Sequence, residues 1–181
     1  MTMAKDFSRE YGTAIYALAV EEQRSKEIFE DFKGVEQAFS ENPEFVRLLS
    51  NPRLSAEERA DTVGRVFDGK IDKNLLNALK ILAEKRRCDQ VSKCFETFKR
   101  LYCADNNILP VTASAATDLS ERQKKRLCEK LKEKTGSEIL LTCKKDPSCI
   151  GGIRVEYGGK RYDASVRGRL NELGRAIRNS D

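Results

Sequence analysis

Apolar residues recur every three or four positions through the first 106 residues of the chain. This spacing places them on one face of a helix, and six such stripes follow one another with no strand pattern between them. The first part of the chain therefore predicts a compact six-helix bundle. Its stripes consist of Phe7, Tyr11, Ala14, Ile15 and Leu18; Ile28, Phe32, Val35 and Phe39; Phe45, Leu48 and Leu49; Val63, Val66 and Phe67; Ile71, Leu75, Ala78, Leu79 and Leu82; and Val91, Phe95, Phe98, Leu101 and Tyr102.

Short polar motifs mark where several of these helices begin. Asn42 followed by Pro43 is typical of an N-cap and a proline at the first helical position. Ser55 and Glu58 have the spacing of a capping box, in which each side chain accepts a hydrogen bond from the backbone N–H of the other residue. We therefore expect a helix to start after each motif.

The period changes from helical to alternating after residue 106. Ser120 and Gln123 form a second capping box, which opens a basic helix that ends at Gly136. Apolar and polar residues alternate on both sides of that helix, which predicts two strands. The alternating positions are Val111, Ala113, Ala115, Ile139, Leu141 and Cys143. The chain is thus predicted to be α+β, with a helical domain over 1–106 and a small α+β domain over 107–181.

Two glycine pairs lie among six basic residues in 146–177, a composition that suggests a phosphate site. A phosphate-binding P-loop needs a glycine five positions before Gly159 and a serine or threonine two positions after it. Those positions hold Arg154 and Arg161. The stretch therefore does not match a P-loop, and it also lacks the dinucleotide fingerprint of three spaced glycines.

A β-hairpin explains the second glycine pair better. Gly158 and Gly159 can supply the two positive φ angles of a type I′ turn between 153–157 and 160–162. Asp163 is then placed to cap a C-terminal helix by accepting backbone N–H groups. The apolar stripe of that helix consists of Val166, Leu170, Leu173 and Ile177.

The net charge changes sign at the same place in the chain as the spacing of the apolar residues changes. Residues 1–106 hold 18 basic and 19 acidic side chains, a net charge of −1, and residues 107–181 hold 16 and 10, a net charge of +6. The longest uncharged stretch, 106–117, has twelve residues, whereas a membrane-spanning helix needs about 20 apolar ones. The N-terminus has acidic residues and no apolar core, so we expect no leader peptide and a cytosolic location.

Cysteine and histidine usage argues against metal binding and catalysis. The chain has six cysteines, none spaced as C-x-x-C, and no histidine. We expect reduced thiols that act as small apolar side chains, and no metal or cofactor. The absence of histidine also removes the commonest general base and any Ser-His or Cys-His nucleophile pair. An enzyme is therefore the least favoured functional class.

The C-terminal stretch "DPSCIGGIRVEYGGKRYDASVRGRLNEL" resembles the signature of the delta subunit of bacterial F-type ATP synthase, whose mitochondrial counterpart is the oligomycin-sensitivity-conferring protein. Cys149 departs from the leucine usual there, and Gly12, in the similar first helix "EYGTAIYALAVEEQ", replaces a common alanine that would make the helix stiffer. "NPEFVRLLSNPRLSAEER" resembles the segment after the family's second helix. The matching signature positions are Asp146, Pro147, Ile150, Gly151, Gly152, Asp163, Ser165 and Leu170.

The resemblance implies a stator protein without catalytic activity or cofactor. Its N-terminal domain would bind N-terminal segments of the alpha subunits on the catalytic head, and its C-terminal domain would bind the b subunits of the peripheral stalk. The protein would then sit at the cytoplasmic face of the bacterial membrane, which it contacts only through the complex. We expect the signature residues, Leu170 included, to shape the small domain.

The first helix offers a candidate surface for the head. Residues 11–20 carry no charge, and Tyr16 and Val20 lie about 140–180° around the helix from Tyr11. Leu76 and Ala83 flank the main stripe of the fifth helix in a similar way. We interpret these four residues as a groove for a partner helix. The alternative is that the first helix is central in its own bundle.

An RNA-binding protein is the second interpretation. The basic helix "ERQKKRLCEKLKEK" and the C-terminal arginines could contact phosphates. Acidic residues are interleaved along that helix, however, and Tyr157 and Tyr162 are the only aromatic residues in this part of the chain. Because single-stranded RNA is usually held by stacking its bases on aromatic rings, we expect no nucleic-acid partner.

Overall fold

The computed structural model describes residues 7–178, with the backbone alone at 173, 174 and 176–178. The chain forms two compact units, the first reaching Tyr102 and the second beginning at Cys103. Helices make up the first unit, and the second combines helices with a four-stranded sheet. The predicted α+β class is confirmed.

Six α-helices follow one another up to residue 105. Their bounds are α1 (Phe7–Glu21), α2 (Ser25–Glu41), α3 (Pro43–Leu49), α4 (Ala56–Phe67), α5 (Lys73–Glu84) and α6 (Val91–Asp105), with a 3₁₀ turn over Cys88–Gln90 before α6. Helix α6 continues past the boundary between the two units, so that boundary lies within its last turn.

Aromatic rings of α2 and α6 form much of the helical unit's core. Phe29 stacks on Tyr102 with ring centroids 4.6 Å apart, and Phe32 meets Phe98 at 5.6 Å. The predicted stripe of α2 is buried along its whole length. Burying side chains of this size supplies most of the favourable free energy of folding available to a unit of about 100 residues.

A helix begins after each of the three helix-start motifs, as predicted, and Pro43 is the first residue of α3. Both capping boxes are formed, one at Ser55 and Glu58 and the other at Ser120 and Gln123. Asn42 does not cap α3 with its side chain, because its Nδ2 donates to the Ala38 carbonyl 2.9 Å away in the last turn of α2. A single residue separates the two helices, and its side chain serves the end of the first.

The second unit is a mixed sheet with a parallel crossover. The elements are β1 (Ile108–Ala115), α7 (Glu121–Thr135), β2 (Glu138–Lys145), a 3₁₀ turn (Pro147–Cys149), β3 (Ile153–Tyr157), β4 (Lys160–Asp163) and α8 (Val166–Arg178). Strands β1 and β2 pair in parallel, β1 and β3 pair antiparallel, and β3 and β4 form the hairpin, giving the order β2-β1-β3-β4. Side chains of Val111, Leu131 and Val155 form the core between the sheet and α7.

The hairpin turn is as predicted, whereas the residue that caps α8 lies two residues further along the chain than predicted. Gly158 and Gly159 have φ angles of +55° and +72°, as a type I′ turn requires. The N-cap is Ser165, whose Oγ accepts a hydrogen bond from the Gly168 N–H at 3.0 Å. Asp163 instead accepts from the backbone N–H of Ser165 at 3.0 Å and from its hydroxyl. Asp163 thus positions the cap, because α8 begins too late for direct capping.

Candidate partner-binding surfaces

Helix α1 buries a different face from the one that its apolar stripe predicted. The centre of the buried face lies about 100° around the helix from the stripe that runs from Phe7 to Leu18. Leu18 is 44% exposed, and Val20 is exposed as well. The buried residues of α1 are Ser8, Gly12, Ile15, Tyr16 and Ala19.

Close packing at Gly12 explains this orientation. A β-carbon added there would lie 2.6 Å from the Cys94 carbonyl oxygen and 2.7 Å from Cβ of Thr97, both in α6. The two helices approach each other so closely that only glycine fits. Gly12 therefore does not simply soften the helix, as the sequence suggested, but permits the contact that fixes which face of α1 points inward.

The four residues predicted to form a partner groove are not all at the surface. Tyr16 is buried with its ring edge against Phe98, and Leu76 and Ala83 are buried in the same unit. Val20 alone of the four is exposed. The alternative of a central helix thus describes the Tyr16 side of α1, because this side packs within the unit itself.

Two polar contacts align α1 and α5 side by side in opposite directions. Near the start of α1, the Tyr11 hydroxyl lies 2.9 Å from Lys85 Nζ, which donates to it. Just after its end, Glu22 accepts from Asn74 Nδ2 at 2.7 Å. The Arg87 guanidinium also lies 3.6 Å from the Phe7 ring centroid, a cation–π distance.

Between those two contacts lies a run of accessible apolar side chains from both helices. In α1 they continue the stripe that contains Tyr11, and in α5 they fall between Asn74 and Lys85 at helical spacing. Leu18 and Ile81 are the large aliphatic residues among them, and both are exposed. We refer to this region as the α1/α5 surface, formed by Tyr11, Ala14, Leu18, Ala78 and Ile81.

Asp146 organises the start of the signature segment in the second unit. It accepts from the Ser148 backbone N–H at 2.9 Å and from Arg154 at 2.6 Å. These hydrogen bonds, the one from Ser148 above all, hold the pKa of Asp146 below its ordinary value. Arg154 also donates to the buried Cys149 sulfur at 3.2 Å and lies 3.9 Å from Asp163. Pro147 opens the 3₁₀ turn that follows.

The first glycine pair lies where the chain passes the start of α8. Gly152 has φ +75°, and a β-carbon there would approach the Ala164 carbonyl oxygen to 2.5 Å. The Gly151 carbonyl accepts from the Val166 N–H at 3.0 Å, which ties this loop to the first turn of α8. The structure therefore brings six signature residues into one neighbourhood: Asp146, Pro147, Gly151, Gly152, Asp163 and Ser165.

Leu170 and Ile150 are exceptions among the signature residues. Leu170 is 57% exposed and Ile150 is 65% exposed, so neither belongs to the core of the second unit. The expectation that Leu170 shapes the domain is wrong, because the side of α8 that faces the fold is occupied by Ser165 and Gly168. Sequence reasoning treated Leu170 as structural and matched Ile150 only to the family pattern, and it did not identify either residue as exposed.

The described residues contain no group of three or more His, Cys, Asp or Glu side chains able to hold a metal ion, and none of their helices is long and apolar enough to cross a bilayer. Tyr157 and Tyr162 stack on each other at 5.2 Å, and Lys134 lies 5.3 Å from the Tyr162 ring. These rings thus partner each other, which weakens the case for an RNA-stacking platform.

Comparison with known proteins agrees with both halves of the chain. The family model described as ATP synthase delta (OSCP) subunit matches residues 7–177. Similar curated proteins include the ATP synthase subunit delta of Lachnoclostridium phytofermentans, 31% identical over 97% of each chain. Another is the sodium-ion-specific ATP synthase subunit delta of Propionigenium modestum, 31% identical over 93% of this chain and 96% of the relative.

A solved structure has the same fold. It is a chain in the cryo-EM structure of the Toxoplasma gondii mitochondrial ATP synthase hexamer, with a TM-score of 0.72 and 21% identity. The match covers 96% of this chain and 98% of that one, so both units are included. Since the family model spans almost the entire chain, the protein belongs to the ATP synthase delta (OSCP) subunit family.

Proposed function

We propose that this chain is the non-catalytic stator subunit that ties the catalytic head of an F-type ATP synthase to the b subunits of its peripheral stalk. The observation that carries the proposal is the family match over residues 7–177, which takes in both units. A stator must hold two bodies at once. A chain with two units of different charge and architecture suits that task.

The helical part of the chain, 1–106, is the head-binding domain in this proposal, folded as a six-helix bundle. The α1/α5 surface receives an amphipathic N-terminal segment of an alpha subunit. Its exposed Leu18 and Ile81 support this, because a helix docks by placing its apolar face on such side chains. Of the four residues first assigned to the groove, Tyr16, Leu76 and Ala83 are buried in the helical unit, and the exposed Val20 lies on the opposite side of α1 from Tyr11, outside this surface.

The second part, 107–181, is the stalk-binding domain. Its net charge of +6 favours an acidic or amphipathic partner and increases the rate of encounter with it. The protein works at the cytoplasmic face of the bacterial membrane, and it contacts the membrane only through the rest of the ATP synthase. Torque on the head then passes through this chain to the stalk and does not turn the head with the rotor.

Calorimetry with a synthetic peptide of the alpha-subunit N-terminus tests the head contact. Leu18→Asp places a charge in the α1/α5 surface, and we expect affinity to fall at least about tenfold. Thr13→Asp is the matched control, because Thr13 is exposed on the opposite side of α1. Its affinity should change by less than about twofold. Equal binding by the wild type and a folded Leu18→Asp variant would show that the peptide does not bind here.

A further inference from the structure

Three large apolar side chains form an exposed cluster where the signature loop meets α8. Ile150 is 65% exposed, Val166 is 43% exposed and Leu170 is 57% exposed. Val166 is held beside the loop, since its N–H donates to the Gly151 carbonyl at 3.0 Å, and Leu170 follows one helical turn later. We call these three residues the α8 patch. Isolated exposed apolar residues are ordinary, but three of them at one backbone junction indicate a contact site.

The backbone at Ile150 is in an unfavourable conformation. Its φ and ψ are +64° and −44°, close to the rare γ-turn, and β-branched residues avoid positive φ. The other non-glycine residues with positive φ in the described chain are Gln23, Arg86 and Asn107, none of them β-branched. Such strain persists only where the surroundings enforce it, and it is typical of functional positions.

The surroundings do enforce the conformation of Ile150. Cys149 just before it is fully buried, and the Ile150 N–H donates to the Pro147 carbonyl at 3.1 Å. Gly151 just after it accepts a hydrogen bond from the Val166 N–H at 3.0 Å. With both neighbours fixed, the Ile150 side chain is directed into solvent. Binding to a partner would explain why an apolar side chain is held in solvent in a conformation that costs stability.

The other two residues of the patch, Val166 and Leu170, are exposed because they lie on the side of α8 that faces away from the fold. Its inward side is set by the buried Ser165 and by Gly168, where a β-carbon would lie 2.8 Å from Asp163 Oδ1. At 100° per residue, Val166 and Leu170 lie about 150° from that side. Val166 and Leu170, the first two residues of the predicted apolar stripe, are therefore exposed, and the side chains of the other two, Leu173 and Ile177, lie outside the described residues.

Basic side chains border the stripe on both sides. Arg167 lies about 80° to one side of its centre and Arg169 about the same angle to the other, and both are exposed. Acidic groups near α8, such as Asp163 and Glu172, lie away from the stripe. An apolar strip between two arginines matches an amphipathic helix whose apolar face is edged by Asp or Glu. A second copy of this chain would instead bring arginines against arginines.

We propose that the α8 patch is the docking site for an acidic-edged amphipathic helix, the C-terminal segment of a b subunit. This inference rests on the proposed stator function and assigns its stalk contact to three named residues. Ile150 and Leu170 insert into the apolar face of that helix, and Arg167 and Arg169 pair with its acidic edges. The strain at Ile150 keeps the site preformed, so little ordering is needed on binding.

Binding of the full-length chain to the purified soluble part of the b subunit tests the assignment. We expect Leu170→Asp to weaken binding at least about tenfold. The matched control is Asn171→Asp, which adds the same carboxylate at the next, exposed position but off the stripe. Its affinity should change by less than about threefold. Circular dichroism and thermal melting of the same samples show whether the second unit of each variant is folded.

Ile150→Gly separates binding from folding. Glycine accepts positive φ, so the variant should melt higher than the wild type by about 2–4 °C. It should nevertheless bind the b fragment about tenfold more weakly, because an anchoring side chain is lost. A merely structural residue would not give opposite changes in stability and affinity. An Ile150→Gly chain that melts higher and binds b normally would overturn the patch.

The outcomes distinguish the two proposals. If the wild-type chain binds b and the Leu170→Asp and Ile150→Gly variants bind equally well, the stator function stands and the α8 patch is wrong. If the wild-type chain does not bind b at all, the stalk assignment and the patch both fail. If light scattering shows a wild-type dimer that Leu170→Asp dissociates, the patch is a self-association surface and the proposal is again overturned.

Discussion

Gly12 is the residue at which the helical unit has least space for a side chain. A β-carbon added there would lie 2.6 Å from the Cys94 carbonyl oxygen, a backbone atom that cannot move without shifting α6. We expect Gly12→Ala to lower the free energy of unfolding by about 1–3 kcal/mol, because overpacking outweighs the higher helix propensity of alanine. Urea denaturation followed by circular dichroism measures the change.

Gly34 provides the matched comparison for that prediction. It lies in the middle of α2 and is exposed, and a β-carbon there would meet nothing within 4 Å. Gly34→Ala should therefore stabilise the chain by about 0.5–1 kcal/mol through helix propensity alone. Stabilisation by both substitutions would contradict the close approach of α1 to α6.

The carboxylate of Asp163 makes the second unit sensitive to acid. Its hydrogen bonds from Ser165, followed by the attraction of Arg154, hold its pKa below the ordinary value. A carboxyl whose pKa is lower in the folded chain stabilises the fold above its unfolded pKa, and this stability is lost as pH falls through the folded pKa. We expect the melting temperature of the wild type to drop below about pH 4.

Asp163→Asn isolates this contribution from the other carboxylates. The amide keeps an acceptor for the Ser165 N–H but cannot titrate. The stability difference between wild type and variant should therefore be greatest near neutral pH and shrink as the pH is lowered. A difference that stays constant down to about pH 2.5 would mean that ionised Asp163 adds no stability.

At the scale of elements, helices with one apolar face were predicted well and α1 was not. In α2 the stripe from Ile28 to Phe39 is buried as predicted, because the rest of that helix is mostly polar. In α1, residues 11–20 carry no charge, so periodicity could not decide which side points inward. The decisive factor, the fit of Gly12 against α6, depends on a tertiary contact that a single sequence does not display.

The signature segment was predictable in part for a similar reason. Gly158 and Gly159 have few uses besides a tight turn, and they form one. The sequence could not tell whether an apolar signature residue faces the core or the solvent, and Leu170 was assigned wrongly. The positive φ angle at Ile150 could not be predicted from the sequence either, because isoleucine disfavours that conformation.

The end of α5 depends on a buried arginine from α4. Arg59 is almost fully buried, and its guanidinium donates to the Ala83 and Glu84 carbonyls at 2.8 Å each and also to the Leu54 carbonyl. These bonds tie the last turn of α5 to α4 and place a positive charge at the negative end of the helix dipole. No sequence pattern marked this role.

Replacing Arg59 should therefore destabilise the packing of α4 against α5. We expect Arg59→Leu to lower the free energy of unfolding by about 2–4 kcal/mol, since the hydrogen bonds of a buried guanidinium to three backbone carbonyls are lost. Arg65→Leu is the control, because Arg65 is exposed on the same helix, and its effect should stay within about 0.5 kcal/mol. Equal effects of the two substitutions in chemical denaturation would show that the buried hydrogen bonds contribute little.

At the scale of the whole molecule, the two units differ in both architecture and charge. The helical part has a net charge of −1 and an accessible apolar surface on α1 and α5, whereas the second part carries +6 and an exposed stripe on α8. Neither offers a metal cluster among its described residues. A chain with two such different parts can hold two different partners. Its contribution to ATP synthesis is then mechanical, and it depends on the two parts being joined in one polypeptide.

Deleting residues 107–181 tests that dependence. The cut follows the end of α6 at Asp105, so the core of the helical unit stays intact, and the shortened chain should bind the head as the full chain does. ATP hydrolysis by the detached head should be nearly unchanged, since the chain contributes no catalytic group. Ion-driven ATP synthesis in membrane vesicles should fail, because nothing then holds the head against the rotor. Adding residues 107–181 back as a separate polypeptide should not restore synthesis, as the two contacts must be joined in one chain to resist torque. Normal coupled synthesis with the shortened chain alone would refute the stator function proposed for this protein.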